Sequence, residues 1–241
     1  MSKPYFEQGG ISLYHGDLRE IPEWLCADVL ICDPPYGMGY RSFHRRPSST
    51  KPPGAPIAND ESTDLRDELL RLWGADKPAA IFGTSKVPRP SGDLQVLIWD
   101  KTPSVGPGMG DLSNAFGCSH EEIYLFGPWK KAGARMGSVL RSRFQVKALA
   151  EETGHPTPKP VDLLATLIKV AAPGVLADPC CGSGSLLVAA YRCGRKAIGI
   201  ELDEQYCEGA AKRLRLEMAQ GDMFRTEERA MAAQPAEEDD R

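Results

Sequence analysis

Short apolar runs alternate along the chain with stretches of helical spacing. The run at residues 27–32 (ADVLIC) is almost continuously apolar, which is typical of a strand buried on both faces of a sheet. The pattern predicts seven strands, at residues 11–15, 27–32, 79–83, 95–99, 122–126, 175–178 and 197–201. It predicts helices at residues 62–74, 161–172, 185–193 and 204–219. This alternation indicates an α/β fold with a doubly wound, mostly parallel sheet.

Composition agrees with one domain that has a sizeable core. The chain has 241 residues, of which 41% are hydrophobic and 26% charged. No apolar run reaches the ~18 residues of a membrane span, and the first residues lack the apolar stretch of a signal peptide. We therefore expect a soluble, cytoplasmic protein. The seven cysteines show no C-x-x-C spacing, so we expect reduced thiols and no zinc site.

The formal net charge of −4 is concentrated at the C-terminal end of the chain. Residues 217–241 carry eight acids and three arginines, a net charge of −5, which leaves residues 1–216 at +1. From residue 225 onward few bulky apolar groups remain, so we expect an acidic, disordered tail over 225–241. The near-neutral body leaves a nucleic-acid partner open.

The sequence DPCCGSG lies between a predicted strand and a predicted helix. Gly182 and Gly184 allow a tight turn and a close approach to a ligand, and Glu201, after the next strand, can accept hydrogen bonds from ribose hydroxyls. The turn lacks the Gly-Lys-Ser/Thr ending of a triphosphate loop, and Leu187 stands where a dinucleotide fingerprint has its third glycine. The acid at its head, Asp178, suits a ligand with a positively charged amine, such as S-adenosylmethionine.

A second turn, DPPY, follows the buried strand at 27–32. Methyl transfer to an exocyclic amine uses the lone pair of the nitrogen, but in a base this lone pair is delocalised into the ring and is poorly available. The Asp33 carboxylate and the Pro34 carbonyl can accept the hydrogens of that amine and favour a pyramidal nitrogen. Pro34 and Pro35 make the turn rigid, and Tyr36 offers a flat face for an extruded base. The candidate catalytic residues are therefore Asp33, Pro34, Pro35 and Tyr36.

DPPY, DPCCGSG and the HPTPKP segment at residues 155–160 together resemble the amino-group DNA methyltransferases, over most of residues 11–220. DPPY comes about 145 residues before the glycine turn, which resembles the permuted order of the β class. The resemblance implies a seven-stranded, Rossmann-like methyltransferase sheet in which strands 27–32 and 175–178 are neighbours. It also implies S-adenosylmethionine as methyl donor, no metal, double-stranded DNA as partner, and a monomer or homodimer.

The same resemblance assigns roles to individual residues. Asp17 would accept a hydrogen bond from the adenine amine of the cofactor, and the HPTPKP segment would close over its methionine end. The implied cofactor-binding residues are Asp17, Cys32, His155, Thr157, Lys159, Asp178, Pro179, Cys181, Gly182, Gly184, Glu201 and Leu202. For His120 and Glu121 we expect only structural roles.

Two basic loops, at residues 37–60 and 128–154, would form small DNA-recognition insertions in a single domain spanning 1–224. Their cations would mostly meet phosphate, which gives affinity without sequence information. The candidate DNA-binding residues are Arg41, Arg45, Arg46, Lys51, Lys130, Lys131, Arg135, Arg141 and Arg143. So small a recognition region implies a short target site or help from a second subunit.

The identity of the methylated group stays open between two bases. Within the resembling family an aspartate at the head of the motif is more usual for adenine N6 and a serine for cytosine N4, so Asp33 favours adenine. An RNA or protein amino-methyltransferase and an inactive DNA-binding homologue remain as further alternatives. The expected setting is restriction-modification or a phage, in a bacterial cell or infected host.

Overall fold

The computed structural model describes residues 2–41, 56–92, 95–102, 115–129, 136–142 and 154–232. Within this part of the chain, nine strands form one sheet. The strands are β1 (Phe6–Gln8), β2 (Ile11–His15), β3 (Val29–Cys32), β4 (Ala79–Gly83), β5 (Gln95–Asp100), β6 (His120–Phe126), β7 (Val139–Arg141), β8 (Leu176–Asp178) and β9 (Ala197–Glu201). The same described residues contain a 3₁₀ helix (Pro22–Cys26) and four α-helices: α1 (Asp64–Trp73), α2 (Val161–Val170), α3 (Ser185–Arg192) and α4 (Glu204–Ala232).

The strand order is β1-β2-β9-β8-β3-β4-β6-β5-β7. Strands β1 and β6 pair antiparallel with their neighbours, and the other described pairings are parallel. The predicted mostly parallel α/β sheet is confirmed. The predicted number of seven strands is wrong, because β1 and β7 were missed. Each has three residues, too few for an alternating pattern to stand out, and β7 lies in the segment 128–154 that was expected to be irregular.

The sheet is covered on both faces. Val29 and Ile31 belong to a core cluster that includes residues of α2, α3 and α4. Leu30 and Cys32 belong to a second cluster, formed with the 3₁₀ helix and α1. Successive side chains of a strand point to opposite faces, so β3 is apolar throughout because each face packs against helices.

The last helix is longer than the sequence suggested. Helix α4 runs to Ala232, eight residues into the tail that was expected to be disordered from residue 225. The helical part of that tail, RTEERAMA, is rich in alanine, glutamate, arginine and methionine, which are good helix formers. Residues 233–241 lie outside the described residues. None of the described helices is both long enough and apolar enough to cross a membrane.

Strands β3 and β8 are hydrogen-bonded neighbours at the centre of the sheet, as predicted. Their parallel register pairs Val29 with Leu176 and Leu30 with Ala177. Both strands therefore end at the same edge, where the connections diverge and where open α/β sheets bind ligands. The DPPY turn leaves β3 and the glycine turn leaves β8, so two segments far apart in sequence meet at this edge.

Candidate active site

A cavity of about 610 Å³ lies at this edge of the sheet. That volume is within the range of small-molecule and cofactor sites. All four residues of the DPPY turn line it, and so do most residues of the glycine turn and of the segment 155–159. The structure therefore brings the three motifs of the sequence into one site.

The aspartate of the DPPY turn is held by hydrogen bonds to both of its carboxylate oxygens. The Tyr36 hydroxyl donates to Asp33 Oδ1 at 2.8 Å, and Lys159 Nζ donates to Asp33 Oδ2 at 2.5 Å. Burial raises the pKa of the Asp33 carboxyl above its usual range, and the Lys159 ammonium limits that rise. A carboxylate offers about four lone-pair positions, so Asp33 can still accept further hydrogen bonds from a substrate.

A chain of alternating charges extends from Asp33 into the protein. Lys159 Nζ lies 3.4 Å from Glu121 Oε2, and Lys101 Nζ donates to Glu121 Oε1 at 2.7 Å. Burial by itself raises the pKa of Glu121, but Lys159 and Lys101 outweigh it and hold that pKa below its usual range. Two cations and two carboxylates thus make a network without net charge. From the sequence we expected only a structural role for Glu121, and the family resemblance implied that Lys159 binds the cofactor.

A buried aspartate that the sequence analysis missed fixes the loop after the DPPY turn. The Asp60 carboxylate accepts hydrogen bonds from the backbone N–H groups of Gly37 at 2.8 Å and Tyr40 at 2.6 Å. Its backbone carbonyl accepts from the N–H of Gly39 at 2.6 Å. Gly37 has φ +77°, and a Cβ there would lie 2.5 Å from the Ser62 carbonyl carbon. Asp60 therefore ties the loop that carries Tyr36 to the start of α1.

The glycine turn is held by the carboxylate at the end of β9. Glu201 Oε2 accepts from the N–H of Gly182 at 2.8 Å, and its Oε1 accepts from the N–H of Asp203 at 2.8 Å. Gly182 has φ +50°, and a Cβ there would lie 2.7 Å from His155 Nε2. Glycine is thus required here both by the backbone conformation and by the packed imidazole.

Gly184 is required by the packing of two helices. It precedes α3 with φ +72°, and a Cβ there would lie 3.0 Å from the Cβ of Ala210 on α4. It is not among the residues that line the cavity. The second glycine of the turn therefore lets α3 and α4 pack closely.

The other residues expected at the cofactor lie around the glycine-turn end of the cavity. Asp17 lines it, but both of its carboxylate oxygens accept from Arg19, at 2.8 and 2.5 Å, and these bonds lower the pKa of Asp17. The ring of His155 packs on Tyr206, with centroids 4.8 Å apart, and Thr157 donates its N–H to His155 Nδ1 at 3.3 Å. The remaining lining residues from the expected set are Cys32, Asp178, Pro179, Cys181 and Leu202.

Acidic groups dominate this end of the cavity. Asp178 is 6% exposed, and its Oδ1 accepts from the N–H of Cys180 at 3.3 Å. Burial raises the pKa of Asp178 to about 7. The described residues that line the cavity include three lysines and no arginine, and two of these lysines are paired near the DPPY turn, Lys159 with Asp33 and Lys101 with Glu121. These acidic groups suit a ligand with a positive charge and ribose hydroxyls and suit a phosphate poorly, so they fit S-adenosylmethionine.

Two of the nine cations expected at the DNA surface, Arg41 and Arg141, lie among the described residues. Arg41 forms an isolated backbone bridge with Pro56. Arg141 is exposed at the edge strand β7, where its Nε donates to Asp100 Oδ2 at 2.9 Å, so this arginine is already partnered. The other seven cations lie outside the described residues: Arg45, Arg46, Lys51, Lys130, Lys131, Arg135 and Arg143.

The sequence matches a family model described as DNA methylase, of the N6-adenine and N4-cytosine type, over residues 92–213, half of the chain. It is 25% identical to the type II methyltransferase M.ScaI of Streptomyces caespitosus, over 90% of this chain and 85% of that protein. It is 28% identical to the putative methylase YubD of Escherichia coli strain K12, over 78% of this chain and 81% of that protein.

Two solved structures share the fold. The complex of M1.HpyAVI with S-adenosylmethionine superposes with a TM-score of 0.56 at 20% identity, covering 84% of this chain and 99% of that one. The PvuII cytosine-N4-specific DNA methyltransferase superposes with a TM-score of 0.57 at 17% identity, covering 87% of this chain and 88% of that one. Together with the family match, the DPPY and glycine turns in one cavity lead to one conclusion. The chain belongs to the amino-group DNA methyltransferase family, whose members methylate adenine N6 or cytosine N4 in DNA.

Proposed function

We propose that this protein transfers a methyl group from S-adenosylmethionine to the N6 amine of adenine in double-stranded DNA. The observation that carries the proposal is the position of Asp33. Its carboxylate heads the DPPY turn at the end of β3, in the same cavity as the glycine turn after β8. On this proposal, the acceptor for the target amine and the pocket for the methyl donor share one cavity.

The choice of adenine rests on the residue type at the head of the motif. An aspartate there is more usual in adenine enzymes, and a serine in cytosine enzymes. Cytosine N4 is the second candidate, because one protein with the same fold is described as cytosine-N4-specific. The chemistry proposed below is the same for either amine.

The amine that receives the methyl group would be bound by hydrogen-bond acceptors that are already fixed in position before the substrate arrives. Asp33 and the carbonyl of Pro34 accept the two hydrogens of the amine, which favours a pyramidal nitrogen with an available lone pair. The base has to leave the DNA stack to reach them. The ring of Tyr36 then offers a stacking face, and its orientation is set because its hydroxyl donates to Asp33 and lies 3.2 Å from Glu121 Oε2.

The donor side is held by the acidic end of the cavity. S-adenosylmethionine, when bound, supplies a methyl group on a positively charged sulfur. Glu201 would accept hydrogen bonds from its ribose hydroxyls, and Asp178 would face its ammonium group. Bringing the two reactants together in a fixed orientation is the main source of rate that such a site offers. No residue of the chain needs to form a covalent bond, because the amine nitrogen would bond to the methyl carbon as the carbon–sulfur bond breaks. S-adenosylhomocysteine would leave, and the nitrogen would lose one proton to solvent.

The test is to incubate the protein with unmethylated DNA and methyl-labelled S-adenosylmethionine, and then to separate the nucleosides. We expect label in N6-methyladenine. Asp33→Ala should lose transfer while still binding the cofactor, and Glu201→Ala should lose cofactor affinity. Label in N4-methylcytosine alone would refute the choice of base. A protein that binds the cofactor but labels neither base would refute the proposed reaction.

A further inference from the structure

Lys159 is buried against two residues of the DPPY turn and two residues of the neighbouring strands β4 and β6. Its side chain is 8% exposed, and its ammonium lies 2.5 Å from Asp33 Oδ2 and 3.4 Å from Glu121 Oε2. The same nitrogen lies 5.5 Å from the ring centroid of Tyr36 and 5.3 Å from that of Phe82. A buried ammonium is costly unless carboxylates neutralise it, and here two do so.

The HPTPKP segment spans the cavity between the two turns. At its start, the imidazole of His155 packs over Gly182 of the glycine turn. At its end, Lys159 reaches Asp33, which is 126 positions away in the sequence. One segment therefore contacts both turns, and its lysine lies on the side of the base-accepting turn.

We propose that Lys159, held by Glu121, is a positioning residue for methyl transfer, which keeps the Asp33 carboxylate charged and fixed as the acceptor of the target amine. Its function is thus in the transfer step and not in holding the cofactor. This inference rests on the proposed function and adds to it a residue that acts through Asp33.

The need for a counter-ion follows from what surrounds Asp33. Burial and the neighbouring acids Glu121 and Asp178 disfavour a charged aspartate. Among the described residues, Lys159 is the only cation within 4.0 Å of Asp33. The titratable and charged groups that face Asp33 or its partners are Cys32 from β3, Tyr36 from its own turn, Lys101 from the end of β5, Glu121 from β6, Lys159 from the HPTPKP segment, Asp178 from β8 and Cys180 from the glycine turn.

A charged Asp33 matters because of what it has to accept. If Asp33 is protonated, one of its oxygens becomes an O–H donor. That hydrogen would then face the hydrogens of the amine, so this oxygen could not accept from them. In the carboxylate, Tyr36 occupies one lone pair of Oδ1 and Lys159 one of Oδ2, which leaves the others for the substrate. Lys159 therefore maintains the charge of the carboxylate and also fixes its rotation.

The test compares Lys159→Met and Lys159→Arg with the wild type. In Lys159→Met we expect the acid limb of the kcat–pH profile to move to higher pH, with about a tenfold loss of kcat below the limb for each pH unit of displacement. The KM for S-adenosylmethionine should stay within about twofold. Lys159→Arg, which keeps the charge, should restore most of the turnover.

A matched control and an opposite substitution sharpen the test. Lys77 is a partly buried lysine outside the cavity, which donates to the carbonyl of Leu25 at 2.7 Å, so Lys77→Met measures the general cost of losing a packed lysine. It should not move the acid limb. Glu121→Gln removes a charge that raises the pKa of Asp33, so it should move the limb to lower pH. This second variant tests the inference even if Lys159→Met does not fold.

A measurement without turnover separates this inference from the proposed function. In protein labelled with ¹³C at aspartate carboxyls, the Asp33 signal is the one lost in Asp33→Asn, and its pKa should be higher in Lys159→Met than in the wild type. An unmoved pKa, or a large loss of affinity for S-adenosylmethionine with an unchanged acid limb, would overturn the inference. A wild type that methylates no DNA would instead refute the proposed function, and the titration would still decide the role of Lys159.

Discussion

Replacing Asp178 with asparagine changes charge at the buried end of β8 while keeping the shape of the side chain. Asp178 is 6% exposed, and its Oδ1 accepts a bond from the N–H of Cys180 that an asparagine oxygen can also accept. We expect Asp178→Asn to make the ligand-free protein more stable at neutral and alkaline pH. We also expect it to weaken the binding of S-adenosylmethionine, because the ammonium of that ligand loses a negative partner.

The magnitude follows from the pKa of Asp178, which burial raises to about 7 from an ordinary value of 3.8. At pH values between 3.8 and about 7, Asp178 has released its proton in the unfolded chain but retains it in the folded chain. The free energy of unfolding of the wild type therefore falls as the pH rises through this range. The gap of about three pH units, at about 1.4 kcal/mol each, corresponds to about 4 kcal/mol. Asp178→Asn stays neutral, so it should gain about 4 kcal/mol over the wild type at about pH 8 and less than about 1 kcal/mol at about pH 4.

The assay is denaturant unfolding of the wild type and of Asp178→Asn across this pH range, with ligand binding followed by calorimetry. Asp76→Asn, at an exposed position after α1, is the control for the loss of any one acid and should change neither quantity. Equal stabilities of the wild type and Asp178→Asn at about pH 8 would refute the raised pKa. An unchanged affinity for S-adenosylmethionine would refute the role of Asp178 in facing its ammonium.

Three further substitutions test other parts of the site. Asp60→Ala removes the carboxylate that accepts from two partly buried N–H groups of the loop after Tyr36, so we expect a loss of about 2–4 kcal/mol in urea unfolding and a larger fall in kcat than in cofactor affinity. Glu201→Ala should weaken S-adenosylmethionine binding at least about tenfold by calorimetry, with kcat at saturation little changed. Gly182→Ala would crowd His155 and strain the turn, so cofactor affinity and thermal stability should both fall.

The meeting of the two turns could be expected from the sequence because the family resemblance implies that strands 27–32 and 175–178 are neighbours. The apolar run before DPPY predicts a strand buried on both faces, and the glycine turn follows a second strand. Parallel neighbours end at the same edge, so the observed pairing of Val29 with Leu176 follows once both strands lie at the centre of the sheet. The apolar pattern shows the two strands directly, but their order in the sheet came from the family resemblance and not from the pattern.

The environment of the catalytic aspartate could not be predicted in the same way. Lys159 belongs to a segment whose first residue packs on the glycine turn, and spacing along the chain does not show that its last residues reach the other turn. Asp60 binds backbone N–H groups that lie 20 and 23 positions earlier, at Tyr40 and Gly37, and no periodicity marks such a contact. Whether a charged side chain is buried depends on packing between segments that are distant in the sequence, and a local sequence pattern does not show that packing.

The central claim, methyl transfer to adenine N6 at the DPPY turn, is tested most directly in DNA that the protein has modified in a cell. The wild type and Asp33→Ala are expressed in a bacterial host without DNA methylation of its own. The DNA is then read by single-molecule sequencing that distinguishes N6-methyladenine from N4-methylcytosine. The account predicts N6-methyladenine at a short recurring site with the wild type and none with Asp33→Ala. N4-methylcytosine in place of N6-methyladenine, or equal modification by the two proteins, would contradict it.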